Sequence, residues 1–171
     1  VEKARSQAGN YGLRSEFSLG LSTSKGGASS GVGFMWPKPV VVQNPGRLFN
    51  EARRFSIEVP HGVFGVVIML SFYGVSGDKE NTFANLRRAF DSLEATRCPY
   101  FIFGDFNIDV DEMSGKLAEW KSLAKTMHGG LSCFSGDSVS TIDFFIVSQM
   151  FRAENTTCHT MESWLATHKL V

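Results

Sequence analysis

Two polar residues directly follow an apolar run in the segment YFIFGDFN, residues 100–107. Asp105 and Asn107 are two positions apart, so a strand that continues through them would place both side chains on one face. The two groups would then converge on one point. The alternative is an Asx turn that closes the strand, which is the commoner role of an isolated Gly-Asp pair.

A second carboxylate, Asp143, stands inside the apolar segment STIDFFIVS, residues 140–148. A buried carboxylate is unfavourable unless a metal ion, a cation or a set of hydrogen-bond donors lies nearby. Bonding to an amide or hydroxyl of a neighbouring loop would also satisfy it. Two carboxylates on strands of one α/β domain together favour a ligand site, because ligands in such folds collect at strand ends.

Two further side chains extend this set of candidate site residues. His168, in the segment LATHKLV, could act near neutral pH as a base, an acid or a donor to a phosphate. Tyr73 ends the segment VIMLSFY and is most simply an aromatic residue that leaves the core, although its hydroxyl could reach a ligand beyond the strand. The other three histidines are interpreted as surface or structural residues: His61, His128 and His159.

The elements that must position these residues alternate between strands and helices, which predicts an α/β layered fold. Apolar residues at spacings of three and four predict an amphipathic helix in residues 76–95, capped by Asp78 or Asn81. A second amphipathic helix is expected in residues 115–127, and a short one before Gly12. The predicted strands are residues 32–36, 53–60, 61–75, 98–107 and 140–148, with a Pro-His-Gly turn between the second and the third.

The composition suits a single domain of 171 residues and excludes several classes of protein. Basic and acidic residues both number 17, so the net charge does not point to a polyanionic partner. Three widely spaced cysteines form neither a disulfide framework nor a zinc set and favour a reducing compartment. The longest apolar run, residues 62–70, is too short for a membrane span of ~20 residues, and no signal peptide opens the chain. A soluble protein is expected.

The order of the motifs GDFN, STIDFFIVS and a histidine near the end resembles the endonuclease/exonuclease/phosphatase superfamily of metal-dependent phosphodiesterases. The segments SSGVGFM and GVVIMLSFYGVSG are similar to further segments of that family, so the resemblance covers nearly the whole chain. It implies a DNase I-like four-layer sandwich of two mixed β-sheets flanked by helices. On this basis residues 1–171 are expected to form one domain whose first and last strands are missing.

The resemblance also implies a function and a role for each candidate residue. The implied reaction is Mg²⁺- or Mn²⁺-dependent hydrolysis of nucleic acid or another phosphodiester by in-line attack of water. Asp105 would orient or deprotonate the water, and Asn107 would hold that water or a metal-bound oxygen, so both belong to the implied metal site. Asp143 would orient His168, His168 would contact the scissile phosphate, and Tyr73 would bond a phosphate oxygen.

Two departures from the family pattern, at Thr167 and at the metal-binding glutamate, favour a second hypothesis, a catalytically decayed domain that acts as a binding or structural module, and Gly74 is a smaller departure. Thr167 stands where the family has an aspartate before the last histidine. The family's metal-binding glutamate is expected upstream of Val1, and Gly74 replaces a proline that many relatives have. Neither hypothesis includes a membrane span or a protein partner. The expected location is intracellular, cytoplasmic or nuclear.

Overall fold

A computed structural model describes residues 2–22, 28–29, 31–135 and 138–151. The chain divides into two compact units, Val1–Tyr73 and Gly74–Val171. Both combine α-helix with antiparallel strand pairs, in agreement with the predicted α/β class. Among the described helices, none has both the length and the apolar character that crossing a membrane requires.

The first unit begins with a helix and is otherwise built of antiparallel strand pairs. Strand β1 pairs with β4, β2 pairs with β3, and β6 lies between β5 and β7. The predicted short N-terminal helix and the strands at 32–36, 53–60 and 61–75 are confirmed, with small shifts of their ends. The elements are α1 (Glu2–Asn10), β1 (Leu13–Phe17), β2 (Leu21–Ser22), β3 (Ala28–Ser29), β4 (Gly33–Pro37), β5 (Asn50–Glu51), β6 (Arg54–His61) and β7 (Gly65–Tyr73).

The turn between β6 and β7 lies at residues 62–64, so the predicted Pro-His-Gly turn was placed too early. Strand β6 continues through His61, whose Nδ1 accepts hydrogen bonds from the amides of Val63 and Phe64 at 3.2 and 3.4 Å. The imidazole also stacks on the Phe64 ring, with 5.0 Å between the ring centroids. The interpretation of His61 as a structural residue is therefore confirmed, because it stabilises this turn.

The described part of the second unit, residues 74–135 and 138–151, holds two helices and a three-stranded antiparallel arrangement in which β12 lies between β8 and β9. A separate hairpin joins β10 to β11. The predicted strands at 98–107 and 140–148 are confirmed with shorter bounds. The elements are α2 (Lys79–Thr96), β8 (Tyr100–Asp105), α3 (Val110–Glu119), β9 (Lys125–Met127), β10 (Cys133–Ser135), β11 (Ser138–Ser140) and β12 (Asp143–Val147).

Helix α2 follows the sequence prediction closely. Asp78 is its N-cap, and its side chain accepts a hydrogen bond of 3.0 Å from the Asn81 amide. Leu86 and Leu93 are fully buried. Phe90 meets the Tyr100 ring edge-on at 6.0 Å, so the apolar face of α2 packs against β8.

Helix α3 differs from the prediction, which placed a helix at residues 115–127. The helix begins earlier because the Asp109 side chain caps it by accepting from the Asp111 amide at 3.0 Å. It ends at Glu119, and Lys121 has a left-handed φ of 55°. Residues Lys125–Met127 instead pair with β12 as an edge strand. Tertiary strand pairing therefore overrides the helical spacing of apolar residues in this segment.

Side chains alternate along β8 and β12, so one face of this strand pair packs in the core and the other carries candidate site residues. Tyr100 and Ile102 on β8 and Phe144 and Ile146 on β12 are almost completely buried. The intervening positions of both strands point to the opposite face and are less buried in most cases. Asp105 belongs to this second set, so the core packing of one face fixes the direction of the candidate site residues on the other.

Truncation of a buried α2 side chain tests this arrangement. We expect Leu86→Ala to lower the free energy of unfolding by about 2–5 kcal/mol, because it leaves a cavity at a fully buried position. Leu123→Ala is the matched control, since Leu123 is 65% exposed, and it should change stability by about 0.5 kcal/mol or less. Urea unfolding of both variants measures the difference. Equal losses would contradict the burial of this helix face.

Candidate functional site

Two carboxylates face each other across the β8–β12 pair. Asp105, the last residue of β8, is the register partner of Asp143, the first residue of β12. Directly opposed residues of an antiparallel pair share a face and have Cβ atoms about 5 Å apart. Both side chains are partly buried. The pairing therefore concentrates negative charge at one end of the two strands.

The position of Asp143 differs in one respect from the sequence interpretation, which placed it inside a buried run. It begins β12 and is only half-buried, so its carboxylate is not enclosed by the apolar residues that follow. The cost of desolvation is smaller there than in the core. The register nevertheless places the two strand-borne carboxylates opposite each other.

Asp105 forms the Asx turn that the sequence left open as an alternative. Its Oδ1 accepts a hydrogen bond of 3.0 Å from the Asn107 amide. Asn107 has a left-handed φ of 53°, which asparagine tolerates better than most residues. Because β8 ends at Asp105, the same-face relation of the two residues, which required a continuing strand, does not apply. The turn fixes the direction of the Asp105 carboxylate.

The Asn107 side chain connects two loops of the second unit. Its Nδ2 donates to the Gly74 carbonyl oxygen at 3.2 Å, and the Gly74 amide donates to the Asp105 carbonyl oxygen at 2.8 Å. A Cβ atom at Gly74 would lie 1.8 Å from the Phe106 carbonyl oxygen. Position 74 therefore requires glycine in this structure.

The loop after β8 is held to the segment before β12 by backbone hydrogen bonds. The Phe106 amide donates to the Ile142 carbonyl oxygen at 2.8 Å, and the Val110 amide donates to the Thr141 carbonyl oxygen at 3.0 Å. Asp109, the cap of α3, also accepts from the Thr141 amide at 3.3 Å. Sequence analysis did not identify Asp109, although an aspartate just before a helical run is a recognisable cap signal.

Ser132 is a second residue that sequence analysis missed. It is fully buried, and its Oγ lies 3.2 Å from the Ile142 amide nitrogen and 2.9 Å from that of Asp143. Both amides donate to the serine oxygen. No motif marks a serine in the segment GGLSCF, since the contact depends on a loop that folds back beside β12.

The pKa of the Cys133 thiol is affected by the charges of the candidate site. Burial raises the pKa of its thiol above the ordinary value, and the negative charge of Asp143 raises it further. A hydrogen bond with Ser140 acts in the opposite direction, and Asp105 adds a smaller increase to the thiol pKa. The thiol therefore lies within electrostatic range of both carboxylates and is protonated at neutral pH.

Of the two remaining predicted site residues, the structure describes Tyr73 but not His168. Tyr73 ends β7 in the first unit, where its amide donates to the Arg53 carbonyl oxygen at 2.9 Å and its ring lies 5.2 Å from the Arg53 guanidinium carbon. His168 and Thr167 lie outside the described residues. The roles assigned to all five predicted residues stay predictions.

The donor set at the end of β8 and β12 is suited to a hard divalent cation. Within the described ranges, no group of three or more His, Cys, Asp and Glu side chains is arranged to hold a metal ion. Mg²⁺ needs fewer protein ligands than that, because it commonly binds one or two carboxylates together with water and substrate phosphate. Asp105 and Asp143 supply two carboxylates at paired positions. Their chemistry fits Mg²⁺ better than a softer metal.

Comparison with known proteins identifies the fold. No protein-family model matches the chain, and no curated protein sequence matches it. Its structure is similar to that of the human Nocturnin catalytic domain with a bound sulfate anion, with a TM-score of 0.58 and 11% sequence identity. The match covers 85% of this chain and 64% of that domain, so the chain spans less than two thirds of its length. The likeness confirms the predicted DNase I-like α/β fold.

Substitution of Gly74 tests the close approach of the two loops. We expect Gly74→Ala to lower the free energy of unfolding by about 1–3 kcal/mol, because its methyl group would displace the Phe106 backbone. Gly115→Ala is the control, since a Cβ atom at that position in α3 meets nothing within 4 Å. It should stabilise the helix by about 0.5–1 kcal/mol. A Gly74→Ala variant as stable as the wild type in urea unfolding would contradict the contact.

The reactivity of Cys133 tests the electrostatics of the carboxylate pair. Asp143→Asn removes a negative charge that raises the pKa of the Cys133 thiol, so the pKa should fall and the thiolate fraction at pH 8 should rise. We expect alkylation of Cys133 by iodoacetamide to become about two- to tenfold faster, as measured by mass spectrometry. Asp91→Asn on the exposed face of α2 should leave the rate unchanged. Equal rates in all three proteins would show that Asp143 does not act on this thiol.

Proposed function

We propose that this chain is a catalytic domain of the endonuclease/exonuclease/phosphatase type, a Mg²⁺-dependent phosphodiester hydrolase with a nuclease-like substrate. The DNase I-like fold supports this proposal, because that fold places ligand sites at strand ends. The neighbouring structure with a bound sulfate supports it further, since sulfate resembles a phosphate group in charge and shape. Nucleic acid or another phosphodiester is the proposed substrate.

The observation that carries the proposal is the register of Asp105 opposite Asp143. Two carboxylates directly opposed on one face concentrate negative charge there, and a divalent cation bound at Asp105 would offset part of that charge. The paired position of the two aspartates at strand ends therefore supports a cation-dependent function.

The chain's own residues supply orientation and proton transfer in this proposal. The Asx turn holds the Asp105 carboxylate in one direction, where it can orient an attacking water and accept its proton. Asn107 is restrained by its bond to the Gly74 carbonyl oxygen, and its side-chain oxygen is assigned to hold a water or the cation. Asp143 is assigned to orient His168, and His168 and Tyr73 are assigned to contacts with the phosphate.

Asp105 and Asn107 are the proposed protein ligands of the cation, with Asp143 beside them. A bound Mg²⁺ would supply positive charge at the phosphoryl oxygens, where negative charge develops during displacement. Oxygen ligands on a carboxylate and an amide are those that Mg²⁺ prefers, and Mn²⁺ could take its place. The fixed backbone around both residues limits the reorganisation that binding requires.

A second candidate function is a decayed domain that binds a partner or substrate without cleaving it. The observation that favours it is that both residues already have roles in the fold, since Asp105 accepts from the Asn107 amide and Asn107 Nδ2 donates to the Gly74 carbonyl oxygen. Thr167 in place of the family's aspartate also favours it, because threonine carries no charge to balance a cation. Phosphodiesterase assays separate the two functions.

Substitution of Asp105 by asparagine tests the catalytic proposal without removing the turn. Asparagine keeps a side-chain oxygen that can accept from the Asn107 amide, but it carries no charge and cannot take a proton. We expect kcat for Mg²⁺-dependent hydrolysis of single-stranded DNA, RNA or a small phosphodiester to fall by about 100-fold or more. The melting temperature should change little.

Asp78→Asn is the matched control, because Asp78 Oδ1 also accepts a hydrogen bond from a backbone amide, at the N-cap of α2. It removes the same charge from a capping residue and should keep full activity. Hydrolysis by Asp105→Asn at the wild-type rate would refute the role of Asp105. Absence of hydrolysis and of Mg²⁺ binding in the folded wild-type protein would favour the non-catalytic module.

A further inference from the structure

The Ser132 hydroxyl oxygen accepts hydrogen bonds from two consecutive backbone amides at the start of β12. In an extended strand, successive N–H groups point in opposite directions, so one oxygen normally reaches only one of them. Here the amides of Ile142 and Asp143 both donate to Ser132 Oγ, at 3.2 and 2.9 Å. The backbone therefore bends at Ile142–Asp143, and its two N–H groups converge on the serine as they would around an anion.

This bend determines where β12 begins its pairing with β8. On its other side, the Ile142 carbonyl oxygen accepts from the Phe106 amide at 2.8 Å, so the peptide groups before Asp143 are held from two directions. The Ser132 amide donates to the Ser140 carbonyl oxygen at 3.1 Å, which fixes the serine itself. Asp143 is the first residue after the bend and lies opposite Asp105. A change in the bend would rotate or shift the Asp143 carboxylate relative to its partner.

We propose that Ser132 is a positioning residue of the candidate site, which acts through the backbone of Asp143 and sets the direction of its carboxylate. This inference rests on the proposed function. Its hydroxyl is fully buried and bonds to backbone amides, so it does not itself meet the substrate. The effect of losing it should therefore appear in kcat more than in KM, since a misdirected group lowers the rate of the chemical step.

Ser148 provides a matched control at the opposite end of the same strand. It is 5% exposed, and its Oγ accepts a hydrogen bond of 3.1 Å from the Tyr100 amide. Ser132→Ala and Ser148→Ala thus each remove one buried hydroxyl that accepts from backbone N–H groups beside β12. Both variants should lower the melting temperature. We expect only Ser132→Ala to lower kcat, by about tenfold or more, while Ser148→Ala stays within about twofold of the wild type.

Amide hydrogen exchange gives a readout that does not depend on activity. Ser132→Ala should speed exchange at Ile142 and Asp143 by about tenfold, with little change at Ile146 in the middle of the strand. Ser132→Thr keeps the hydroxyl and should restore both the exchange protection and kcat. A Ser132→Ala variant with wild-type kcat, or an equal loss of kcat in Ser148→Ala, would overturn the proposal.

The same measurements separate this inference from the proposed function. If the folded wild-type protein hydrolyses no phosphodiester, the proposed function is wrong and the exchange data decide the role of Ser132 alone. Faster exchange confined to Ile142 and Asp143 would then support its control of the Asp143 backbone. Unchanged exchange in Ser132→Ala would overturn that control, whether or not the protein is an enzyme.

Discussion

The antiparallel pairing of β8 with β12 is the constraint on which the candidate site depends. Its register places Asp105 opposite Asp143, and the alternation of side chains puts the fully buried Ile102 and Ile146 on the other face. A shift of either strand by one residue would turn its carboxylate toward the helix-covered core, where its desolvation would be far more costly. The apolar packing of one face and the position of the charges on the other are therefore consequences of one register.

The structural and the catalytic interpretations of Asp105 are compatible. The turn that Asp105 forms with the Asn107 amide uses one oxygen and restrains the carboxylate to one direction. A group that must accept a proton or hold a cation benefits from such restraint, because less motion has to be lost in the reaction. The Asx turn thus serves as part of the framework of the proposed site, and its presence does not decide between a catalytic and a decayed domain.

The elements that depend on local interactions could be predicted from local sequence patterns. Helix α2, its Asp78 cap and the strands around the two aspartates could be read from spacing and capping residues, since those signals lie within one element. Strand β9 could not, because its residues fit a helix and become a strand only by pairing with β12. The roles of Ser132 and Gly74 could not be predicted from the sequence for the same reason. Their roles come from contacts with Asp143 and Phe106, which are distant in the sequence.

The charge balance of the site follows from the same geometry. Burial and the charges of Asp143 and Asp105 raise the pKa of the Cys133 thiol above an ordinary value that already exceeds neutral pH, so the thiol is protonated and adds no negative charge. The described side chains at this end of β8 and β12 then present carboxylate oxygens, which are hard ligands, next to a neutral sulfur. Mg²⁺ favours such oxygens over a protonated thiol. On the proposed function, the neutral Cys133 thiol is therefore a weaker ligand for the cation than the carboxylates beside it.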